Sequence, residues 1–180
     1  MRKPNFKAPK DWDRRWLLLA ELMASFSKDP STKVGAVAVR DRRVLSTGFN
    51  GMPTGVVDSS FRLNDRDVRL SMTVHAEMNV INFAARNGVS LMGSDLFIFP
   101  LAPCSSCASS IIQAGVRRVI VYDYVIPRRW QQSFDTAAEM FSESGVALLR
   151  LPEKEEKEPE EDVSNIGSKI LKIVQFLLHF

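Results

Sequence analysis

Asp95 to Tyr122 reads DLFIFPLAPCSSCASSIIQAGVRRVIVY. Asp95 to Phe99 is an apolar run of strand length, Pro103 to Ala114 has helical character and stops at Gly115, and Val116 to Tyr122 is a second run rich in β-branched residues. The stretch predicts strand, helix, strand, with Cys104 in the first turn of the helix. Cys104 and Cys107 are the only cysteines among 180 residues. Three positions apart in a helix, they share one face and can bite a single ion. Upstream stands one of the chain's two histidines, in His75-Ala76-Glu77. A zinc ion held by one imidazole and two thiolates has three protein ligands, which leaves the fourth tetrahedral position open, as in a catalytic rather than a structural site. Glu77 is then free to move protons.

Working outward, Trp12, Trp16, Leu19, Ala20, Met23 and Phe26 recur at helical spacing before Asp29-Pro30 breaks the pattern. Lys33 to Arg40 and Arg43 to Gly48 are β-rich runs around a charged Asp41-Arg42 turn, which predicts an antiparallel hairpin. Asn50 to Arg69 reads as irregular and too long for a plain connector. Thr73 to Arg86 predicts a helix ended by Asn87-Gly88, with His75 near its start. Trp130, Phe134, Ala137, Ala138 and Phe141 form a further helical stripe, stopped by Gly145 and followed by the strand Val146 to Leu151. The order α-β-β-α-β-α-β-α-β implies an α/β fold, a five-stranded mixed sheet with helices on its faces. Both ligand-bearing segments enter a helix from a loop, and a helix start favours thiolate over thiol.

At 45% apolar the chain can bury one sizeable core. We expect one domain over 1–151. The net charge of +3 hides a split: Pro152 to Asp162 holds seven acids and two lysines, and Met1 to Leu151 carries +6. A mildly basic body suits an anionic small ligand and does not by itself point to nucleic acid. Residues 152–162 read as an acidic linker, and Ile166, Ile170, Ile173, Val174 and Leu177 as one face of an amphipathic helix over 163–180 that packs on the body or on a neighbouring subunit. No apolar run is long enough to span a bilayer, no secretory signal opens the sequence, and the cysteines form no disulfide framework. A cytoplasmic protein without a membrane partner is the expectation.

Cys-x-x-Cys at a helix start also fits a thioredoxin-like dithiol, so a thiol redox protein stands as an alternative. A structural zinc module is a third reading; it wants a fourth ligand, and only His179 is left to give one. A redox dithiol has no need of His75 or Glu77.

His-x-Glu followed by Pro-Cys-x-x-Cys is the pattern of zinc-dependent nucleobase deaminases. From Trp12 to Leu151 the chain resembles the deoxycytidylate (dCMP) deaminases of the cytidine deaminase superfamily. The stretches that carry the resemblance are SKDPSTKVGAV from Ser27, GFNGMPTG from Gly48, HAEMN from His75, PCSSCA from Pro103 and IIQAGV from Ile111. The resemblance implies a cytidine deaminase-like three-layer α/β/α fold and zinc-dependent hydrolysis of dCMP to dUMP and ammonia, which supplies thymidylate precursor. It implies zinc (Zn2+) on His75, Cys104 and Cys107, Glu77 as catalytic proton shuttle, Asn50 at the deoxyribose, and Ser27 and Lys28 near the substrate phosphate. By the residues alone, Asn50-Gly51 is equally a plain turn, and Arg62, Arg66 and Arg69 can bind phosphate, bind an effector or pair with neighbouring acids. Also implied are a homo-oligomer, commonly a hexamer, and the effectors dCTP and dTTP. Deamination of another cytosine nucleotide such as dCTP, or of RNA, is the alternative within enzymes.

Overall fold

The computed structural model describes residues 11–152. The acidic linker beyond Pro152 and the amphipathic helix expected over 163–180 lie outside the described residues. In chain order the elements are α1 (Trp12–Ser25), β1 (Gly35–Arg40), β2 (Arg43–Phe49), α2 (Ser60–Asn64), α3 (Arg66–Met72), α4 (Ala76–Arg86), β3 (Asp95–Phe99), α5 (Ser105–Gln113), β4 (Arg118–Tyr122), α6 (Arg128–Ser144) and β5 (Ala147–Leu151). The sheet runs β2-β1-β3-β4-β5. β1 pairs antiparallel with both β2 and β3, whereas β3, β4 and β5 are parallel, so the sheet is mixed as expected.

Alternation along the strands divides the core into two layers. Val37, Val39, Phe97 and Ile120 face Leu17 and Ala20 of α1. Their neighbours Ala36, Ala38, Leu96, Ile98, Val119 and Val121 face α4, α5 and α6. Small residues let the helices close on the sheet. A Cβ on Gly35 would stand 2.1 Å from the Ala20 carbonyl oxygen in α1, and one on Gly48 would stand 2.5 Å from that of Ala76 in α4. Any side chain at either position separates a helix from its strand.

The hairpin turns on Asp41 (φ 53°) and Arg42 (φ 58°), both left-handed, which is the backbone of a two-residue turn matched to strand twist. At the same end of the sheet, Asp95 is buried and accepts from Arg117 (Nε, 2.8 Å) and Arg118 (Nη2, 2.7 Å), while Arg118 also reaches Asp13 of α1 at 3.2 Å. Burial alone would raise the Asp95 carboxyl. The hydrogen bonds from the two arginines outweigh it and hold the group below the ordinary aspartate range.

The segment expected to be irregular contains two short helices. Ser59 caps α2 by accepting from the Arg62 N–H, and Asp65 caps α3 by accepting from the N–H groups of Asp67 and Val68. The capping residues were present in the sequence, but neither helix carries an apolar stripe to announce it. α4 and α5 also begin later than expected, which makes His75 and Cys104 N-cap residues rather than members of a first turn. No helix among the described residues is long and apolar enough to cross a membrane.

Candidate active site

His75 and Cys104 are both N-caps whose side chains make no capping bond, which leaves each free to face the gap between the two helix starts. Val74 fixes the approach to His75 by a bridge to Gly51, with N–H···O bonds of 3.1 and 2.9 Å. Cys107, one turn into α5, is buried. The His75 Nδ1 lies 3.3 Å from the Cys107 Sγ and 3.6 Å from the Cys104 Sγ, and the three donor atoms all fall within 4.8 Å of one another.

This set fits zinc. With Zn–S near 2.3 Å and Zn–N near 2.0–2.1 Å, tetrahedral coordination requires an N-to-S edge of about 3.6 Å. Both observed separations are close to that value, and one nitrogen with two sulfurs is a donor set zinc prefers. Without a cation, the two sulfurs compete for a proton. The hydrogen bond from Cys107 brings the Cys104 thiol down to about 4, and the same bond pushes Cys107 up. His75 is held above its ordinary value, chiefly by its bond to Cys104. The cluster already carries the anionic character that a cation would complete.

Glu77 lies in the first turn of α4 and is only 4% exposed. Burial pushes its carboxyl up to about 7, against smaller opposing pulls from its own backbone N–H, His75 and Cys107. A carboxyl that exchanges its proton near neutrality, beside three metal-type donors, is equipped for general acid–base work.

His75, Glu77 and Cys104 form the floor of a cavity of about 160 Å³, with Cys107 buried beneath it. Asn50 lines it with an amide that is already engaged: Oδ1 accepts from the Val34 N–H at 2.8 Å and Nδ2 donates to the Thr32 carbonyl at 2.9 Å. It therefore shapes the 32–34 wall and retains one N–H for a ligand. Ser27 and Lys28 do not line the cavity. The Ser27 hydroxyl is buried and donates to the Asn50 carbonyl at 2.8 Å, and Lys28 turns outward to an ion pair with Asp58 at 2.7 Å. Of the three arginines singled out from sequence, Arg66 and Arg69 line the cavity and Arg62 does not; Arg62 donates to the Val57 carbonyl. Arg69 is buried, pairs with Asp29 at 3.3 Å and donates to the Ser31 hydroxyl and the Leu63 carbonyl, which ties α3 to the 29–32 wall.

Sequence reasoning missed Arg129 and Trp130, which close the cavity from α6. Ser133 on α6 accepts from the Ser105 N–H at 3.1 Å, at the first turn of α5 beside Cys104. That contact docks α6 on α5 and brings the preceding turn, Arg129 and Trp130, over the cavity. Trp130 belongs to a helical stripe with Phe134 and Ala137, and the arginine pair Arg128-Arg129 before it is the local sign of an outward role.

The chain is similar to known proteins. The family model for the cytidine and deoxycytidylate deaminase zinc-binding region matches residues 10–123. An uncharacterized deaminase in the luxG 3′ region of Aliivibrio fischeri is 41% identical over 143 residues, covering 78% of this chain and 94% of that protein. Mouse deoxycytidylate deaminase is 32% identical over 155 residues, covering 82% and 83%. Among solved structures, the dCMP deaminase of cyanophage S-TIM5 in complex with dCMP and dUMP superposes with a TM-score of 0.61 at 27% identity, covering 76% and 93%. The three-layer α/β/α sandwich and its five-stranded mixed sheet are thus of the cytidine deaminase type, and the chain belongs to the cytidine and deoxycytidylate deaminase family.

Proposed function

We propose that this protein hydrolyses dCMP to dUMP and ammonia, with zinc held by His75, Cys104 and Cys107 and with Glu77 carrying protons. The observation that supports this most is the convergence of one imidazole and two thiols within 4.8 Å of one another, with the imidazole, the Cys104 thiol and the buried Glu77 carboxyl lining a single cavity. Kinship with deoxycytidylate deaminases, and with a structure holding dCMP and dUMP, supplies the substrate.

Zinc at this site would supply Lewis-acid activation of water, whose pKa can fall to roughly 7 in such settings. The remaining work belongs to the chain. Glu77 accepts a proton from the attacking water and passes it to N3 of the cytosine ring. It then takes the proton of the hydroxyl newly bonded to C4 and delivers it to the amine as the C4–N bond breaks and the C4 carbonyl forms, so that water and dCMP become dUMP and ammonia with Glu77 restored. Asn50 offers its remaining N–H toward the sugar, and the apolar wall of Val34, Ala102 and Phe134 excludes water around the base.

A thiol redox role is not favoured, because both sulfurs converge on the His75 Nδ1. The same kinship suggests a homo-oligomer responsive to dCTP and dTTP, which sedimentation with and without these nucleotides would examine. Ammonia release by zinc-loaded protein, with dCMP, deoxycytidine and dCTP compared at equal concentration, tests the substrate. Preference for dCMP is expected; release from none of the three would overturn it.

A further inference from the structure

Lys28, which the resemblance places near the phosphate, pairs with Asp58 and does not line the cavity. The charges that do line the cavity are Asp29, Arg66, Arg69, Glu77 and Arg129, beside His75. Asp29 and Arg69 neutralise one another at 3.3 Å, and Glu77 stands in the first turn of α4 beside the metal-type donors. The remaining charge is cationic and comes from two helices: Arg66 opens α3 and Arg129 lies in the first turn of α6.

Among the described residues neither guanidinium is committed elsewhere. Arg66 makes only a 3.5 Å contact with its neighbour Asp67, and those side chains are 60% and 94% exposed, a pairing that contributes little in water. Among the described residues Arg129 has no carboxylate within ion-pair distance, and its guanidinium stands 5.7 Å from the centre of the Trp130 ring. Contact with the aromatic face restrains Arg129 without neutralising it. Arginine presents a planar fork of N–H donors that suits phosphate, and a 5′-phosphate on a nucleoside bound over Glu77 would supply the dianion these two residues lack.

Building on the function proposed above, we propose that Arg66 and Arg129 form a two-armed clamp for the 5′-phosphate and are the residues that select nucleotide over nucleoside. Trp130 positions one arm, and the Ser133 contact with Ser105 positions α6 relative to the reacting base.

The test compares wild type, Arg66→Gln, Arg129→Gln and the double variant by two readouts. One is the ratio of kcat/KM for dCMP to that for deoxycytidine. The other is calorimetric binding of dUMP against deoxyuridine to zinc-loaded protein. Each single variant should lower both preferences roughly tenfold, and the double variant should lower them roughly a hundredfold, as expected for charge-assisted hydrogen bonds. Arg66→Lys and Arg129→Lys should recover part of the loss. Both residues are surface-exposed at the cavity rim, so unchanged melting temperatures are expected. Unchanged preferences, or equal losses for phosphorylated and unphosphorylated ligands, would overturn the clamp. If wild type bound dUMP selectively through these arginines yet never turned over dCMP, the clamp would stand and the proposed reaction would fall. If it turned over dCMP but bound dUMP no better than deoxyuridine, the reverse would hold.

Discussion

Replacing Glu77 by glutamine keeps the shape of the side chain and removes its proton. General acid–base catalysis by one group contributes about 10²–10⁴ in rate, and Glu77 is asked to act at the water, at N3 and at the amine, so a loss in kcat at or beyond about 10⁴ is expected. Stability should move the other way. In the metal-free protein the Glu77 carboxyl is displaced from 4.5 to about 7, which corresponds to about 3 kcal/mol against the charged form above pH 7. Because the folded value is raised, this penalty is absent well below 4.5, grows through the interval and is complete above 7. Metal-free Glu77→Gln should therefore be more stable than wild type at pH 8, by about 1–3 kcal/mol once the amide's own burial is discounted, and the gain should vanish near pH 4. Zinc content by atomic absorption, dCMP turnover, and chemical denaturation of chelated protein at pH 4 and pH 8 read the three effects. Turnover within tenfold of wild type, or loss of zinc in the variant, would refute the role assigned to Glu77. An unchanged stability difference between the two pH values would refute the electrostatic account of its burial.

Three further changes probe the scaffold. Gly35→Ala puts a methyl 2.1 Å from the Ala20 carbonyl oxygen and 2.3 Å from the Ala24 nitrogen; since helix backbone must move, a loss of about 3 kcal/mol or more by urea denaturation is expected. Asp95→Asn should cost about 2–3 kcal/mol at pH 7, with Arg118 contributing more than the exposed Arg117. The folded carboxyl lies below its unfolded value, so its stabilisation is present above the unfolded pKa and is lost as pH falls through the folded one; the variant's denaturation midpoint should vary less with pH in that acid range. Asp41→Asn with Arg42→Gly suits the two left-handed positions and should raise stability by about 1 kcal/mol, net of the lost Arg42 contact with Trp12 at 5.0 Å; a decrease would contradict the assigned turn.

The zinc set was legible in the sequence because the thiols are adjacent, nothing competes with them, and the helix start they share follows from Pro103 and Gly115. The hairpin and the parallel strands were legible because alternation and apolar runs are local signals. The cavity wall was not. Arg69 finds Ser31 thirty-eight residues away, Lys28 finds Asp58 thirty away, and Ser133 finds Ser105 twenty-eight away, and no local pattern announces such pairings. Trp130 shows the difficulty at one residue: helical periodicity places it on the same side as the buried Phe134, yet α6 overhangs the cavity at its first turn and the indole lines the opening. Asn50 was ambiguous between a turn and a sugar contact, and its geometry explains why, since one amide both holds the 32–34 backbone and faces the cavity.

The most direct test of the central claim is the reaction of zinc-loaded protein with dCMP in ¹⁸O-labelled water, read by mass spectrometry and ammonia assay together. The account predicts dUMP carrying one solvent oxygen at C4, one ammonia per dUMP, and no product after chelation of the metal. Unaltered dCMP with one zinc bound per chain, or dUMP without the label, would contradict it.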